Sequence, residues 1–348
     1  MEIVVAQTKD DVRRYDDFVE NHGASIYYSR VWGQCVSSVY RYSYLPLMVE
    51  DGGQVIAIMP VCIKSLLPGF AKKLVVLPFS HHVPLLLADI QFASDACRLV
   101  GEFVKSLGIS SVLLKNAEPI AGLQSYDSGY LVSRLSLDPG MAHVRKGYAT
   151  AVKRGIKKAT QSGVEVFRNG FDEFQGVFYD LMVETRRRQG VPVYPKAHFS
   201  LLKDLFDDNS LELWGAHYQG QMISGIVINR CQSATIYLYG ASRDNQEVMT
   251  LRPNNLLFDH VIADCESGGV GIFDFGISHR TNEGLIRFKE SWGATSEPVY
   301  YSNTKGAASS GQMLKPNSFI PSLAGRVFRS MPLAVYRYGS PLLLRLVG

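Results

Sequence analysis

The stretch Ile272–Gly293, IFDFGISHRTNEGLIRFKESWG, decides how the rest of the chain is read. It opens on a short apolar strand, Ile272-Phe273-Asp274-Phe275, closed by Gly276. A polar loop follows, then a turn of helix ending in Phe288-Lys289-Glu290-Ser291-Trp292-Gly293. A carboxylate at the end of a buried-looking strand, and a lysine wedged between aromatics, are costly to bury without a use. Asp274 and Lys289 are therefore candidate catalytic residues. Each has a plainer reading: Asp274 as a loop or helix cap, Lys289 as a solvated helix residue. Phe288 and Trp292 bracket the lysine at contact spacing on a helix, which argues for burial.

Working outward, the chain alternates strands and helices. Glu2–Ala6 reads as a strand and Asp10–Asn21 as a helix, and Ser29 suits an N-cap for a helix through Trp32. Two apolar runs, Leu45–Glu50 and Gln54–Lys64, flank Asp51-Gly52-Gly53, a hairpin signal. A strand near Lys73–Leu77, an amphipathic helix over Ala93–Leu107 and a strand over Ser110–Lys115 complete the first half. The order then returns. Leu211–His217 and Gln221–Asn229 surround Tyr218-Gln219-Gly220, and Gly53-Gln54-Val55-Ile56-Ala57 sits in its hairpin as Gly220-Gln221-Met222-Ile223-Ser224 sits in the later one. This is a mixed α/β chain with an internal duplication. Two similar domains side by side would place a cleft, a common ligand site, between them.

The 348 residues are comfortable for two domains, read as 1–140 and 141–301, with a tail over 302–348. The residues after Met1 show no basic flank and no apolar run of signal-peptide length, so export is not expected. No stretch approaches the roughly 20 apolar residues that span a bilayer. The five cysteines are scattered without a CxxC pair, which fits a reducing cytoplasm and argues against a zinc cluster. His81-His82 reads as a turn pair, so no metal ligands are expected.

Charge is unevenly distributed. After Glu297 there is no acid, while Lys305, Lys315, Arg326, Arg329, Arg337 and Arg345 add six cations, leaving 30 basic and 32 acidic residues in 1–297. A nearly neutral body argues against a DNA-binding surface and for local basic patches. The tail also carries Phe328, Val335, Tyr336 and Leu342-Leu343-Leu344, broken by Pro332 and Pro341. It reads either as a basic amphipathic segment for an inner-membrane surface or as a helix folded back on the N-terminal domain.

Between the halves, Met141–Ser162 holds six cations and no acid. Lys153, Arg154, Lys157 and Lys158 line one helix face, either a solvated face or an anion site for the phosphates of a nucleotide, coenzyme or RNA end. Asp172–Arg188 reads as a helix stopped by Gly190-Val191-Pro192. In the strand Thr235–Ser242, TIYLYGAS, strict alternation would put Tyr237 and Tyr239 on one face. Arg252-Pro253-Asn254-Asn255 begins the next helix, whose free N–H groups suit an anion or oxyanion.

On these residues Met141–Tyr301 resembles the C-terminal domain of the FemAB family, peptidyl- and aminoacyl-transferases built from two GNAT-like domains. The matching pieces are Lys153–Ala159, Thr185–Pro195, Tyr237–Ser242, Arg252-Pro253-Asn254, Phe273–Gly276 and Phe288-Lys289 before Trp292-Gly293. Tyr28-Ser29 before Trp32 resembles the family's N-terminal motif, so the likeness covers about 1–301. Three departures stand out. The long helical arm of some cell-wall members is missing. Cys35 and Val36 follow Trp32 where peptidoglycan enzymes carry a lysine for the nucleotide-linked muropeptide. Arg252-Pro253-Asn254 replaces the acyl-CoA pyrophosphate loop of ordinary GNAT enzymes.

The resemblance implies tandem GNAT domains and an N-acyltransferase that moves an acyl or aminoacyl group onto an amine of a cell-envelope precursor, in peptidoglycan or exopolysaccharide. The donor would be a co-substrate, acyl-CoA or aminoacyl-tRNA, with no tightly bound cofactor. The family's Phe-Lys motif implies that Lys289 stabilises developing negative charge. Tyr237 or Tyr239 would orient the acceptor and Asp274 position or deprotonate the amine. Ser29, Trp32, Lys153, Arg154, Lys157, Tyr237, Ser242, Arg252, Asn254 and Phe288 would bind substrate. No Ser-His-Asp or Cys-His set is evident, so direct attack by the amine is expected. The contrasting expectation is an idle duplicate that only binds a precursor or envelope partner.

Overall fold

The computed structural model describes residues 1–64, 73–80, 83–109, 112–116, 124–207, 209–232, 234–303 and 319–347. His81-His82 and the start of the Ser110–Lys115 strand lie outside the described residues. The chain forms two compact units, 1–131 with 298–313, and 132–297 with 314–347. The division falls at 131/132, within the strand Gln124–Ser136, ahead of the boundary expected at 140/141, and the described tail helices belong to the second unit.

In the first unit, β1 (Glu2–Val5), β2 (Ser43–Asp51), β3 (Gln54–Lys64) and β4 (Lys73–Val76) pair antiparallel in turn. A short β5 (Leu86–Leu87) pairs with β3, and β6 (Val112–Asn116) then joins β4 in parallel. Helices Lys9–Asn21 and Arg30–Tyr40 lie between β1 and β2, and helix Ala93–Ser106 crosses from β4 to β6. The first helix is closed by a capping box between Thr8 and Asp11.

The second unit begins within β7 (Gln124–Ser136) and repeats that order. Here β8 (Glu165–Asn169), β9 (Leu211–Tyr218), β10 (Gln221–Arg230) and β11 (Ala234–Ser242) pair antiparallel. Strand β12 (Ile272–His279) then joins β11 in parallel, and β13 (Thr295–Asn303) follows. Helical segments over 171–207 fill the β8–β9 connection, and helix Pro253–Ser267 crosses from β11 to β12. The hairpin match read from sequence therefore joins equivalent hairpins, β2–β3 and β9–β10. The expected Asp172–Arg188 helix is present but relaxes into a π-turn over Phe174–Phe178 before helix Tyr179–Gln189.

Apolar burial holds the second unit together. Phe258 packs within 5.6 Å of both Phe288 and Trp292, and 5.7 Å from Phe275, measured between ring centres. Truncating one such ring costs about 3–5 kcal/mol. Phe273 and Phe275 are both buried, as alternation on a strand requires.

The tail corrects one of its two sequence readings. It folds back on the second unit, not the N-terminal one. Tyr336 donates to the Val191 carbonyl, the Val193 N–H donates to Ser340 Oγ at 3.2 Å, and Arg187 Nε donates to the Met331 carbonyl at 2.8 Å. Arg337 pairs with Asp180 at 2.8 Å. The surface it covers is helix Tyr179–Gln189 and the turn that follows, where Asp180 meets Arg337 of the tail.

Candidate functional site

The parallel pairing of β11 with β12 is short. It runs from Ala234↔Ile272 to Ile236↔Asp274, while β11 continues to Ser242 and β12 to His279. The two strands part at Asp274. Gly276, two residues on, has φ 73°, a left-handed conformation that costs a residue with a Cβ roughly 1–2 kcal/mol. Three polar contacts fix this point. Asp274 Oδ1 accepts from the Gly276 N–H at 2.6 Å, and Asp274 Oδ2 accepts from Arg134 Nε at 3.2 Å. From helix Glu283–Glu290, Lys289 Nζ donates to the Gly276 carbonyl at 2.7 Å.

Lys289 is 2% exposed, so the solvated-residue reading is excluded. Burial pulls its pKa from 10.5 down to about 8, and the negative charge of Asp274 works against that pull. Its ammonium grips the backbone at the parting of the strands. Asp274, for its part, has one oxygen on a guanidinium and the other on a backbone N–H.

A cleft of about 530 Å³ lies within the second unit. Arg154, Gly155 and Lys158 of helix Thr150–Gln161 form one wall, and Arg252, Pro253, Asn254 and Asn255 the other; Phe288 and Ser291 also line it. The two walls approach closely because residue 155 is glycine. A Cβ there would sit 2.6 Å from Asn255 Cγ. Pro253 takes the first helical position and Arg252 the N-cap, with φ 61°. A non-glycine residue held left-handed at a helix start is uncommon and is found where surrounding structure over-determines it. Asn254 accepts from Ser224, which pairs with Ser242 at the end of β11. The cleft therefore adjoins the end of β11 that has parted from β12. Three cations and a helix N-terminus together suit an anionic group.

The structure thus brings Arg154, Arg252, Asn254 and Phe288 into one cleft, and Asp274 and Lys289 into one node. Lys158 belongs with the first group and completes the cationic wall. Lys153 and Lys157 are exposed beside that wall, and Lys153 Nζ donates to the Lys146 carbonyl at 2.8 Å. In the first unit, Ser29 Oγ accepts from the Val31 N–H as an N-cap, and Trp32 is wholly buried with its ring edge-on to Tyr27.

The two tyrosines correct the alternation argument. Val227 faces Tyr239 and Ile228 faces Tyr237, so Leu238 is an extra residue in a β-bulge. The bulge reverses the alternation. Tyr237 packs on Phe258 of the crossover helix, and burial raises its phenol pKa. Tyr239 instead meets His198 and Phe199 across the strand. Ser242 is tied to helix Tyr179–Gln189: Thr185 Oγ1 donates to its carbonyl at 3.0 Å, and Arg188 donates to its Oγ at 3.1 Å.

His198 is a residue the sequence reading missed. Its Nε2 lies 3.0 Å from the Tyr239 hydroxyl, fully buried, with Tyr194 stacked on the ring. A lone histidine in PKAHF offers no periodic or motif signal, and only the fold sets it against Tyr239. Burial pulls its pKa from 6.5 down to about 3. Between those values the unfolded chain binds a proton that the folded chain refuses, so stability falls as pH drops from 6.5 towards 3. His198→Gln is expected to flatten that part of the thermal-midpoint profile, measured by circular dichroism at a series of pH values.

Cys35, Cys62 and Cys97 have thiol pKa values pushed up to about 12 by burial, which suits packing and not nucleophilic attack. Among the described residues no group of histidines, cysteines and acids could hold a metal ion.

Residues 146–290 match the model of the acetyltransferase (GNAT) domain family. No curated protein matches by sequence. Among solved structures, FemX is similar with a TM-score of 0.67 at 14% identity, covering 86% of this chain and 97% of its own. The C-terminal domain of a putative lysylphosphatidylglycerol synthetase from Agrobacterium fabrum gives 0.56 at 12% identity, over 86% and 93%. L-PGS from Bacillus licheniformis gives 0.55 at 12% identity, over 91% and 96%. With the repeated strand order, these matches establish a FemAB-like fold of two tandem GNAT-type domains. The matched domain is that of an acyltransferase.

Proposed function

We propose that this tandem GNAT acyltransferase moves an acyl group from a phosphate-bearing donor, acyl-CoA by preference, onto an amine of a cell-envelope precursor. The observation that carries the reading is the cationic cleft beside the parted ends of β11 and β12. A donor's phosphates would lie against Arg154, Lys158, Arg252 and the start of helix Pro253–Ser267. Its extended arm would run along the ends of β11 and β12, beyond the last parallel pair Ile236↔Asp274. The activated carbonyl would then reach the parting point near Asp274 and Gly276.

There the neutral amine attacks the carbonyl carbon, the new C–N bond forms, the C–S or C–O bond of the donor breaks, and the proton shed by the nitrogen passes through solvent to the leaving thiolate or alkoxide. Burial of Cys35, Cys62 and Cys97 disfavours a thiol nucleophile, and direct transfer is the simplest course. Lys289 and Asp274 act on this step as positioning residues, through the Gly276 backbone. Tyr239, held by His198, would orient the acceptor amine. The resemblance to the FemAB family supports an envelope amine, in peptidoglycan or a polysaccharide, and a cytoplasmic reaction at the inner face of the membrane. An aminoacyl-tRNA is the other donor, favoured by the exposed Lys153 and Lys157 that extend the cationic wall past the cleft.

The test is calorimetric titration of full-length protein with acetyl-CoA and, separately, with an aminoacyl-tRNA analogue. Arg154→Glu with Lys158→Glu is expected to weaken coenzyme binding at least about tenfold, each reversal placing a like charge against phosphate. Equal affinity in the wild type and this variant would overturn the donor site. Tight binding without product from any donor would leave a binding protein.

A further inference from the structure

We propose that the C-terminal helices form a docking surface for an anionic lipid bilayer. In the tail, Tyr336, Ser340 and Leu344 are buried, at i, i+4 and i+8 along helices Leu333–Gly339 and Pro341–Val347. That face is locked onto the second unit by the bonds to Val191 and Val193. Val335, Tyr338 and Leu342, at i, i+3 and i+7, fall on the opposite face. They are 56%, 77% and 68% exposed. A segment that needed only to pack on its own domain would carry polar residues there.

The sequence holds no acid after Glu297. Arg326 is exposed on the preceding helix Phe319–Ser330, whose Val327 is exposed as well, while Arg329 reaches the Gln189 carbonyl at 3.4 Å. A second copy of the tail would bring arginines against arginines with nothing in the tail to neutralise them. An anionic headgroup layer meets both features: cations at the phosphates, Val335 and Leu342 in the acyl boundary, and the Tyr338 ring at the headgroup level. No described helix is long and apolar enough to cross a membrane, so the surface lies on the bilayer.

Docking is measured without any substrate, so its failure and the failure of the transfer reading are distinguishable. Full-length protein is floated with vesicles of phosphatidylcholine alone and of phosphatidylcholine with phosphatidylglycerol. The expected result is binding to the anionic vesicles that weakens with salt. The variant Val335→Ser, Tyr338→Ser, Leu342→Ser should keep its thermal midpoint, because these side chains face away from the fold. It should bind at least about tenfold more weakly, because three apolar anchors are lost. Equal flotation of the two proteins would overturn the proposal. So would self-association in solution that the triple variant abolishes while vesicle binding is absent from both.

Discussion

Lys289→Met is expected to lose about 100-fold in turnover while the protein stays folded, and the lost rate should not depend on the lysine's charge. The reasoning starts from the contact. Nζ sits 2.7 Å from the Gly276 carbonyl, where β12 leaves β11. Methionine fills the space without the donor, so a buried carbonyl loses its partner and the left-handed Gly276 loses one of its restraints. A displacement of about 1 Å at the reacting centre is worth about 100-fold in rate. The pH profile separates two roles. With a pKa of about 8, Lys289 becomes a neutral amine as pH rises, yet an amine still donates an N–H to Gly276. A positioning lysine therefore predicts no loss of turnover through pH 8, and an ammonium that stabilises developing charge predicts a fall there. Stability gives a second readout. The folded chain binds fewer protons than the unfolded chain between about 8 and 10.5, so the wild type gains stability as pH rises through that window. The methionine variant should be flat across it. A fall in wild-type kcat/KM centred near pH 8 would return Lys289 to the role implied by the family motif.

Much of the fold was legible because its signals are local. Asp51-Gly52-Gly53 and Tyr218-Gln219-Gly220 mark two hairpins by turn chemistry alone, and Ser29 and Pro253 mark helix starts by capping chemistry. Lys289 was legible as buried because aromatics flank it at helical spacing. The site was harder for a physical reason: its geometry depends on irregularities that the strand and helix periods do not encode. A single bulge residue, Leu238, sends Tyr237 and Tyr239 to different packing partners. Gly155 was read only as part of a basic run, and its value lies in what stands opposite, Asn255, about a hundred residues away in sequence. Arg134 carried no signal at all, although it holds Asp274 from β7. The tail's charge was plain, but which unit would cover its apolar face was a question of shape.

Asp274 offers the sharpest division between proton transfer and scaffolding. In the structure its Oδ1 accepts from Gly276 and its Oδ2 from Arg134, and the side chain is 15% exposed. A general base must present a lone pair to the amine, and each Asp274 oxygen already spends one of its two on Gly276 or Arg134. Asp274→Asn keeps an acceptor oxygen for the Gly276 N–H and gives up the charge and the hydrogen bond on the Arg134 side, where its NH2 cannot accept. Turnover within about tenfold of wild type is the expected result, with a modest loss of stability because that pair is partly screened. Asp274→Ala removes both bonds, frees the Gly276 N–H and leaves Arg134 to the distant Glu297, 3.8 Å away. The parting of β11 from β12 then has only Lys289 to hold it. The expected cost is about 1–3 kcal/mol in denaturant unfolding and on the order of 100-fold in turnover. The ratio between the two variants carries the distinction. A base would lose about as much in the asparagine form as in the alanine form, since neither removes a proton. A scaffold loses its function only when the acceptor atom itself is gone. Equal rates for the two variants, both at least about 1000-fold down, would make Asp274 the base.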